Sequence, residues 1–243
     1  MKTVTCPGND PRMALTAEYL KEDGFILLPE GEADLTLCPP GWGGDDLLRE
    51  AAKVSPGGVL VAGRIPPETA ALCRDRGVRA VALLENESYR LANARATAEG
   101  TLGEAIRLLP RVLLGETVLI LGYGFCGREA ARLFGAVGCR ILVWSHPGSL
   151  KKALADGFES LSTALLPTVS VAVNTVPAPD FLPDLLPRFA PGCLFLQIAS
   201  GEPPEREAME RRGISCHALP GLPGKFAPET EARAVLGLVR ANL

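Results

Sequence analysis

The sequence contains few of the residues from which metal centres and nucleic-acid surfaces are built. Only 2 of its 243 residues are histidine, and its 7 cysteines include no Cys-x-x-Cys pair, so the ligand spacing of a zinc site is absent. The 25 basic residues are spread along the chain among 28 acidic ones. Because there is no lysine- or arginine-rich block, nucleic acid is not expected as a partner. The chemistry therefore calls for an organic cofactor and no metal.

Long apolar runs are also missing. No stretch approaches the roughly 20 apolar residues that a membrane span needs, and the first segment, MKTVTCPGNDPR, lacks the apolar core of a signal peptide. The composition, 47% hydrophobic and 22% charged residues, is typical of a soluble globular protein. We expect a cytoplasmic protein with no membrane partner, whose cysteines are reduced core residues.

Short apolar segments alternate with helical ones along the chain, which is typical of an open parallel sheet. From Thr117 this alternation restarts and predicts a doubly wound domain of the Rossmann type. We therefore expect an α/β protein with two doubly wound parallel-sheet domains. The predicted parts are an N-terminal substrate domain over 1–95, a linking helix over 96–111, a Rossmann domain over 112–225, and a C-terminal helix over 226–243 that packs back on the first domain.

The strongest local signal is a Gly-x-Gly-x-x-Gly motif between an apolar strand and a helix. Gly122 allows a tight turn, Gly124 lets the backbone approach a pyrophosphate, and Gly127 lets the helix pack closely. The motif alone also occurs in structural turns, but the strand before it and the helix and second strand after it favour dinucleotide binding. The predicted cofactor contacts in this motif are Gly122, Gly124, Phe125, Cys126 and Gly127.

The end of the second Rossmann strand bears on the choice between NAD and NADP. An acidic residue there would bind the ribose hydroxyls and repel a 2′-phosphate, but the sequence reads Trp144-Ser145-His146-Pro147. The side chains suited to hold a phosphate here are Ser145, His146, Lys151 and Lys152, and they favour NADP. The alternative is that both lysines lie on a solvated helix face and that His146 only begins a loop.

Further polar groups follow the later strands, at the sheet edge where doubly wound folds bind ligands. Asn174, Thr175, Val176 and Pro177 could orient a nicotinamide, or could simply build a turn. Ser200 follows the next strand. The segment Leu219–Lys225 contains two Pro-Gly pairs, which predict a stiff loop that places Lys225 in a cleft, although a lysine on a loop is often just solvated.

Two groups of residues are candidates for substrate binding. Asn9, Asp10 and Arg12 follow the first strand, where Arg12 could bind a substrate carboxylate and Asp10 could cap the helix or take part in catalysis. Arg95, Thr97 and Glu99 begin the linking helix. Glu99 is either a catalytic group or the acid that helix dipoles favour at an N-terminus.

These motifs together resemble the family of dipicolinate synthase dehydrogenase subunits, which are NADP-dependent and occur in spore-forming bacteria. The resemblance covers most of the chain. The sequence departs from the family pattern at Asn9, His146, Gln197 and Glu202–Pro204. The matching segments are GNDPR near the start, ATAEGTLGEAI over 96–106, LGYGFCG over 121–127, VNTVPA over 173–178 and LPGLPGKFAPET over 219–230.

The resemblance implies oxidation of dihydrodipicolinate, formed in the lysine pathway, to dipicolinate in sporulation, with hydride transfer to NADP. A small dicarboxylate substrate needs cations. The implied catalytic candidates are Glu99, Asp10 and Lys225, and the implied substrate-binding candidates are Asn9, Arg12, Arg95 and Thr97.

The resemblance also implies a flavoprotein partner, the second subunit of dipicolinate synthase, and we expect a homo-oligomer. Two alternatives stay open. One is a dehydrogenase of the 2-hydroxy-acid type, for which His217 is the available histidine. The other is a subunit that binds NADP without catalysis.

Overall fold

The computed structural model describes residues 2–177 and 179–243, so Met1 and Ala178, the last residue of the VNTVPA motif, lie outside the described residues. The chain divides into two compact units. Unit 1 consists of the residues up to Asn93 together with Ala227–Leu243, and unit 2 is Ala94–Phe226. Residues 96–111, the predicted linking helix, therefore fall within unit 2. None of the described helices is both long and apolar enough to cross a membrane.

Unit 1 contains a parallel sheet whose described strands lie in the order β2-β1-β3-β4-β5. The chain leaves β1 in one direction to form β2 and then returns to the other side of β1 to form β3, so the carboxyl ends of β1 and β3 mark a topological switch point. The elements are β1 Thr3–Thr5, α1 Pro11–Glu22, β2 Ile26–Leu28, β3 Ala33–Leu37, α2 Gly44–Ala51, β4 Val54–Ala62, α3 Pro67–Asp75 and β5 Arg79–Ala82.

The C-terminal helix α10, Pro228–Arg240, belongs to unit 1 and packs against α1. Its buried side chains Val235 and Val239 join a core cluster that includes Met13 and Leu20 of α1. The Thr16 hydroxyl lies within 3.2 Å of the Ala232 carbonyl oxygen. This packing closes one face of the sheet with the last segment of the chain.

The linking helix predicted over 96–111 begins earlier than its apolar pattern indicates. Helix α4 spans Glu87–Leu108, because the Asn86 side chain accepts a hydrogen bond from the Tyr89 backbone nitrogen at 3.0 Å and caps an earlier start. Glu99 therefore lies in the middle of α4. The interpretation of Glu99 as a helix-start acid is wrong.

Unit 2 contains a parallel sheet whose described strands lie in the order β11-β10-β9-β6-β7-β8. This is the strand order of the Rossmann fold, with its switch point between β6 and β9. The predicted fold class, two doubly wound parallel sheets in an α/β protein, is confirmed. The elements are β6 Thr117–Leu121, α5 Phe125–Ala136, β7 Arg140–Trp144, α6 Pro147–Ala155, β8 Glu159–Ser160, β9 Val169–Asn174, α7 Leu182–Leu185, β10 Leu194–Gln197, α8 Arg206–Arg211, β11 Ser215–Ala218 and α9 Leu222–Phe226.

The segment with two Pro-Gly pairs is only partly a loop, so the prediction of a stiff loop over 219–225 is wrong. Leu222–Phe226 forms the short helix α9, whose first three residues are buried. A side chain at Gly100 of α4 would lie 2.9 Å from the Phe226 ring and 3.1 Å from Leu222. The glycines of α4 thus let α9 pack closely, and this burial favours helix over loop. Lys225 is exposed on α9.

Candidate functional site

The first glycine of the motif holds two loops of unit 2 together. Gly122 follows β6 with φ +92°, a conformation that favours glycine, and its nitrogen donates to the Trp144 carbonyl oxygen at 2.8 Å. A Cβ atom at this position would collide with the Thr175 hydroxyl oxygen and lie 2.9 Å from Val176 Cγ2. The loops after β6 and β9 therefore meet at the switch point of the sheet.

The other two glycines differ in what surrounds them. Gly124 is the N-cap of α5, has extended backbone and receives no side-chain cap, and a Cβ atom there would meet nothing within 4 Å. At Gly127 a Cβ atom would collide with the Gly122 carbonyl oxygen. The helix N-terminus consequently packs against the strand while its first turn borders open space, which is an anion-binding arrangement. Phe125 and Cys126, the first two residues of α5, are half-buried there.

A cavity of about 380 Å³ opens beside this turn. The Trp144 and Phe181 rings stack at its wall, with centroids 3.4 Å apart and planes at 30°. Flat aromatic walls of this kind suit a planar ligand group. The described residues that line the cavity are Gly122, Tyr123, Gly124, Trp144, Ser145, His146, Ser149, Thr175, Val176, Pro177, Asp180 and Phe181.

The predicted phosphate-binding residues separate into two groups. Ser145 and His146 line the cavity, and His146 Nε2 lies 3.1 Å from the Ser149 hydroxyl oxygen. Lys151 and Lys152 are exposed on α6 and are not among the described residues that line it. Exposed lysines on α6 match the alternative of a solvated helix face.

Asp180 also lines the cavity, and sequence reasoning missed it together with Phe181. Both follow the β9 loop within a few residues, in a proline-containing stretch without a recognisable motif. The only available signal was their position after a strand that ends at the switch point. The Asp180 carboxylate adds a negative charge to the lining of this cavity.

The buried side chain of Asn174 fixes the conformation of the loop that follows β9. Its side chain is fully buried, its Nδ2 donates to the Val176 carbonyl oxygen at 2.9 Å and to Gln197 Oε1 at 2.7 Å, and its Oδ1 accepts from the Val176 nitrogen at 3.1 Å. Thr175 donates its hydroxyl to the Leu121 carbonyl oxygen at 2.9 Å. The Asn174 amide thus shapes the loop, in agreement with the turn-building alternative, and Thr175, Val176 and Pro177 face the cavity.

Two residues that the sequence places at this sheet edge lie outside the cavity. Ser200 and Lys225 are exposed, and neither is among the described residues that line the cavity. His217 lies on β11 and pairs through Nε2 with the Ser215 hydroxyl at 2.8 Å. Within the described part of the chain, no group of three or more potential ligands is arranged to hold a metal ion.

In unit 1, Asp10 and Arg12 form a locked pair at the start of α1. Asp10 Oδ1 accepts from the Arg12 backbone nitrogen at 3.0 Å and from Nε at 2.9 Å, and Oδ2 accepts from Nη2 at 2.6 Å. Asp10 is therefore a helix cap and the partner of one edge of the guanidinium. Asn9 is exposed in the same loop, which follows β1 at the switch point of its sheet.

A buried carboxylate faces the other edge of this guanidinium. Glu231 Oε2 of α10 lies 3.9 Å from Arg12 Nη1, and Glu231 is 0% exposed. Neither Glu231 oxygen forms a hydrogen bond to a described residue, and the same holds for the buried Tyr89 hydroxyl. Burial raises the pKa of Glu231 to about 7 although Arg12 opposes the shift, and burial also raises the pKa of Tyr89.

Sequence reasoning missed Glu231 as a candidate. The signal was present: Glu231 has the same four-residue spacing as Val235 and Val239 on the buried face of α10. An acid at an apolar position of an amphipathic helix is either paired or functional.

The remaining candidates lie on α4 in unit 2. Arg95 Nε is 3.7 Å from Glu129 Oε2, and Arg95 and Glu99 line a shallow depression together with Glu129 and Arg132. Thr97 is buried. Arg95 and Glu99 thus share one face of α4, and Thr97 lies on another.

No family model matches the chain. A dipicolinate synthase subunit of Bacillus subtilis strain 168 is 28% identical over 165 residues, which are 65% of this chain and 56% of that protein, so the match spans about half of the curated relative. The crystal structure of the corresponding dipicolinate synthase subunit from Bacillus halodurans superimposes with a TM-score of 0.83 at 23% identity, covering 99% of this chain and 97% of that one. This chain is similar to these dipicolinate synthase subunits.

The predicted resemblance is therefore confirmed. A more distant similarity extends to a 3-phosphoglycerate dehydrogenase from Entamoeba histolytica, solved with its cofactor NAD+ bound. It has a TM-score of 0.60 at 13% identity and covers 99% of this chain and 94% of that one. This chain therefore has the same type of fold as that dehydrogenase.

Proposed function

We propose that this chain is an NADP-dependent dehydrogenase of the dipicolinate synthase type, which oxidises dihydrodipicolinate from the lysine pathway to dipicolinate in sporulation. The observation that carries the proposal is the open glycine turn at Gly124, on the N-terminus of α5, beside a cavity with stacked aromatic walls. The sequence similarity to dipicolinate synthase supports the choice of substrate.

The residues of unit 2 fit a dinucleotide. The space at Gly124 would be filled by a Cβ atom of any other residue, and the N–H groups that begin α5 suit a pyrophosphate. Ser145 and His146 would hold the adenosine-side ribose and its phosphate, and Thr175 to Pro177 would border the rest. When bound, the oxidised nicotinamide supplies the hydride acceptor.

Arg12 is the residue that we assign to the substrate. Asp10 holds the Nε and Nη2 edge of the guanidinium, so its orientation is fixed before a ligand arrives. We assign the Nη1 edge, which Glu231 faces at 3.9 Å, to a substrate carboxylate. Because both Asp10 oxygens already accept hydrogen bonds from Arg12, we assign Asp10 to positioning and not to proton abstraction. The weaker candidates for contact with the substrate are Asn9, Arg95, Thr97, Glu99 and Lys225.

The substrate makes modest demands on the protein. Removal of a hydride and a proton from the dihydropyridine ring creates an aromatic ring, so the reaction itself favours product. The task of the chain is then to hold the dicarboxylate and to align its donor carbon. The proposal extends to a flavoprotein partner subunit, as in dipicolinate synthase, to a homo-oligomeric assembly and to a cytoplasmic location.

The 2-hydroxy-acid alternative lacks support in this site. It needs a histidine with a carboxylate partner, and His217 pairs with Ser215 on its own strand.

Turnover with freshly generated dihydrodipicolinate tests the proposal, with NADP and NAD compared and both reduced nicotinamide and dipicolinate measured. We expect equal amounts of the two products, with NADP preferred. Arg12→Lys should raise KM for the substrate at least about tenfold, since a bidentate guanidinium contact is lost. Arg49→Lys, an exposed arginine paired with Asp46 on α2, is the matched control and should leave KM unchanged. Nucleotide binding without product, both alone and with the flavoprotein partner subunit added, would identify a non-catalytic subunit instead.

A further inference from the structure

Glu231 is a fully buried carboxylate that the proposed reaction does not use. Neither of its oxygens is hydrogen-bonded to a described residue, and its ion pair with Arg12 is long, at 3.9 Å. A buried carboxylate with so weak a partner is costly to folding. It lies on the buried face of α10, where an apolar residue would pack at no such cost. A destabilising group at the edge of Arg12, the cation that we assign to the substrate, suggests that the position serves binding.

The titratable groups that act on Glu231 come from the loop before α1, from α1 and from α4. Arg12 of α1 lies 3.9 Å away, Asp10 precedes α1 and pairs with Arg12, and Tyr89 of α4 contributes a buried hydroxyl that favours the ionised form of Glu231. Among the described residues, these three are the titratable groups that act on the ionisation of Glu231. The cluster is Asp10, Arg12, Tyr89 and Glu231.

The charge of this cluster depends on one proton. Asp10 already balances the Arg12 guanidinium through two hydrogen bonds. With Glu231 protonated, the cluster is neutral and Nη1 is available to an incoming carboxylate. With Glu231 ionised, the cluster carries a net negative charge, Nη1 is attracted to Glu231, and an incoming carboxylate is repelled inside a poorly solvated site.

We propose that Glu231 is a specificity-determining residue that couples the binding of a carboxylate ligand at Arg12 to the uptake of one proton. The inference rests on the proposed function for the identity of the ligand, a small dicarboxylate. It adds that the protonated form of Glu231 is the form that binds it.

The pH range of the effect follows from the burial of Glu231, which raises its pKa to about 7. The carboxyl groups of dipicolinate stay ionised above pH 6, so the ligand itself does not titrate there. If only the protonated protein binds, the Kd for dipicolinate should rise about tenfold between pH 6 and pH 8. Calorimetry in two buffers of different ionisation enthalpy should show uptake of nearly one proton per ligand at pH 8.

The decisive comparison uses Glu231→Gln, which keeps the shape and removes the charge. Its Kd should stay within about twofold from pH 6 to pH 8, near the value of the unmodified protein at pH 6, with no proton uptake. Glu229→Gln is the matched control, because Glu229 is an exposed acid on the same helix, paired with Arg233. This control should keep the tenfold change and the proton uptake.

The outcomes are distinguishable. Binding of dipicolinate without proton uptake, or an unchanged pH dependence in Glu231→Gln, overturns the inference and leaves the proposed function standing. If none of the three proteins binds dipicolinate at any pH, the carboxylate site at Arg12 is refuted together with the inference. The binding of the dinucleotide in unit 2 is measured separately and is not affected by that result.

Discussion

Replacing Glu231 by glutamine should remove a pH-dependent loss of stability in this protein. Burial raises the pKa of Glu231 from its ordinary value of 4.5 to about 7, so between these two pH values the folded state binds a proton that the unfolded chain has released. The free energy of unfolding therefore falls as the pH rises through this window, and the loss is complete above the folded-state pKa.

The size of the effect follows from the same two pKa values. One pH unit corresponds to about 1.4 kcal/mol, so the displacement from 4.5 to about 7 amounts to roughly 3 kcal/mol. Glutamine at the same position has no proton to exchange. The free energy of unfolding of Glu231→Gln, relative to the unmodified protein, should thus rise by roughly 3 kcal/mol from pH 4 to pH 8.

Urea unfolding followed by circular dichroism at several pH values between 4 and 8 measures this difference. Glu229→Gln serves again as the control, because an exposed ion pair such as Glu229–Arg233 contributes at most about 1 kcal/mol. Parallel stability curves for Glu231→Gln and the unmodified protein would refute the reasoning, since they would mean that Glu231 ionises alike in both states.

Three further predictions concern unit 2. Asn174→Ala should lower the free energy of unfolding by about 2–4 kcal/mol, because the buried Gln197 side chain loses its hydrogen-bond donor. In a double-mutant cycle with Gln197→Leu, measured by chemical denaturation, the destabilisation of the double variant should differ from the sum of the two single variants. Phe181→Ala removes the stacking on Trp144 and should weaken dinucleotide affinity in fluorescence titrations by about tenfold, while a change below twofold would place the ligand elsewhere. His146→Asp should shift the kcat/KM preference from NADP towards NAD, and an unchanged ratio would exclude this loop from the ribose phosphate.

The sheets could be predicted from the sequence because parallel strands buried on both faces are continuous apolar runs. The glycine motif could also be found, since its turn requires Gly122 at positive φ and its helix contact requires Gly127 without a side chain. These are local requirements that a residue type satisfies by itself.

The features that escaped prediction depend on contacts between distant segments. Helix α9 forms because Leu222 is buried and Phe226 packs against glycines of α4 more than a hundred residues earlier, which outweighs the turn signals of its prolines. Asn174 is turned inward by Gln197 on the next strand. The spacing of Glu231 on α10 marks it as a buried acid, but its position beside Arg12 depends on the packing of α10 against α1. Spacing along the chain does not contain this information.

Binding of NADPH to Gly124→Val, compared with Gly43→Val, tests the central claim most directly. Both glycines are helix N-caps with extended backbone, and a Cβ atom at either one meets nothing within 4 Å, so both variants should fold with an unchanged Tm. The account predicts that Gly124→Val weakens NADPH binding at least about tenfold in a fluorescence titration, because the side chain occupies the space of the pyrophosphate, and that Gly43→Val leaves it unchanged. Equal affinity of both variants for NADPH would contradict a dinucleotide site at this turn.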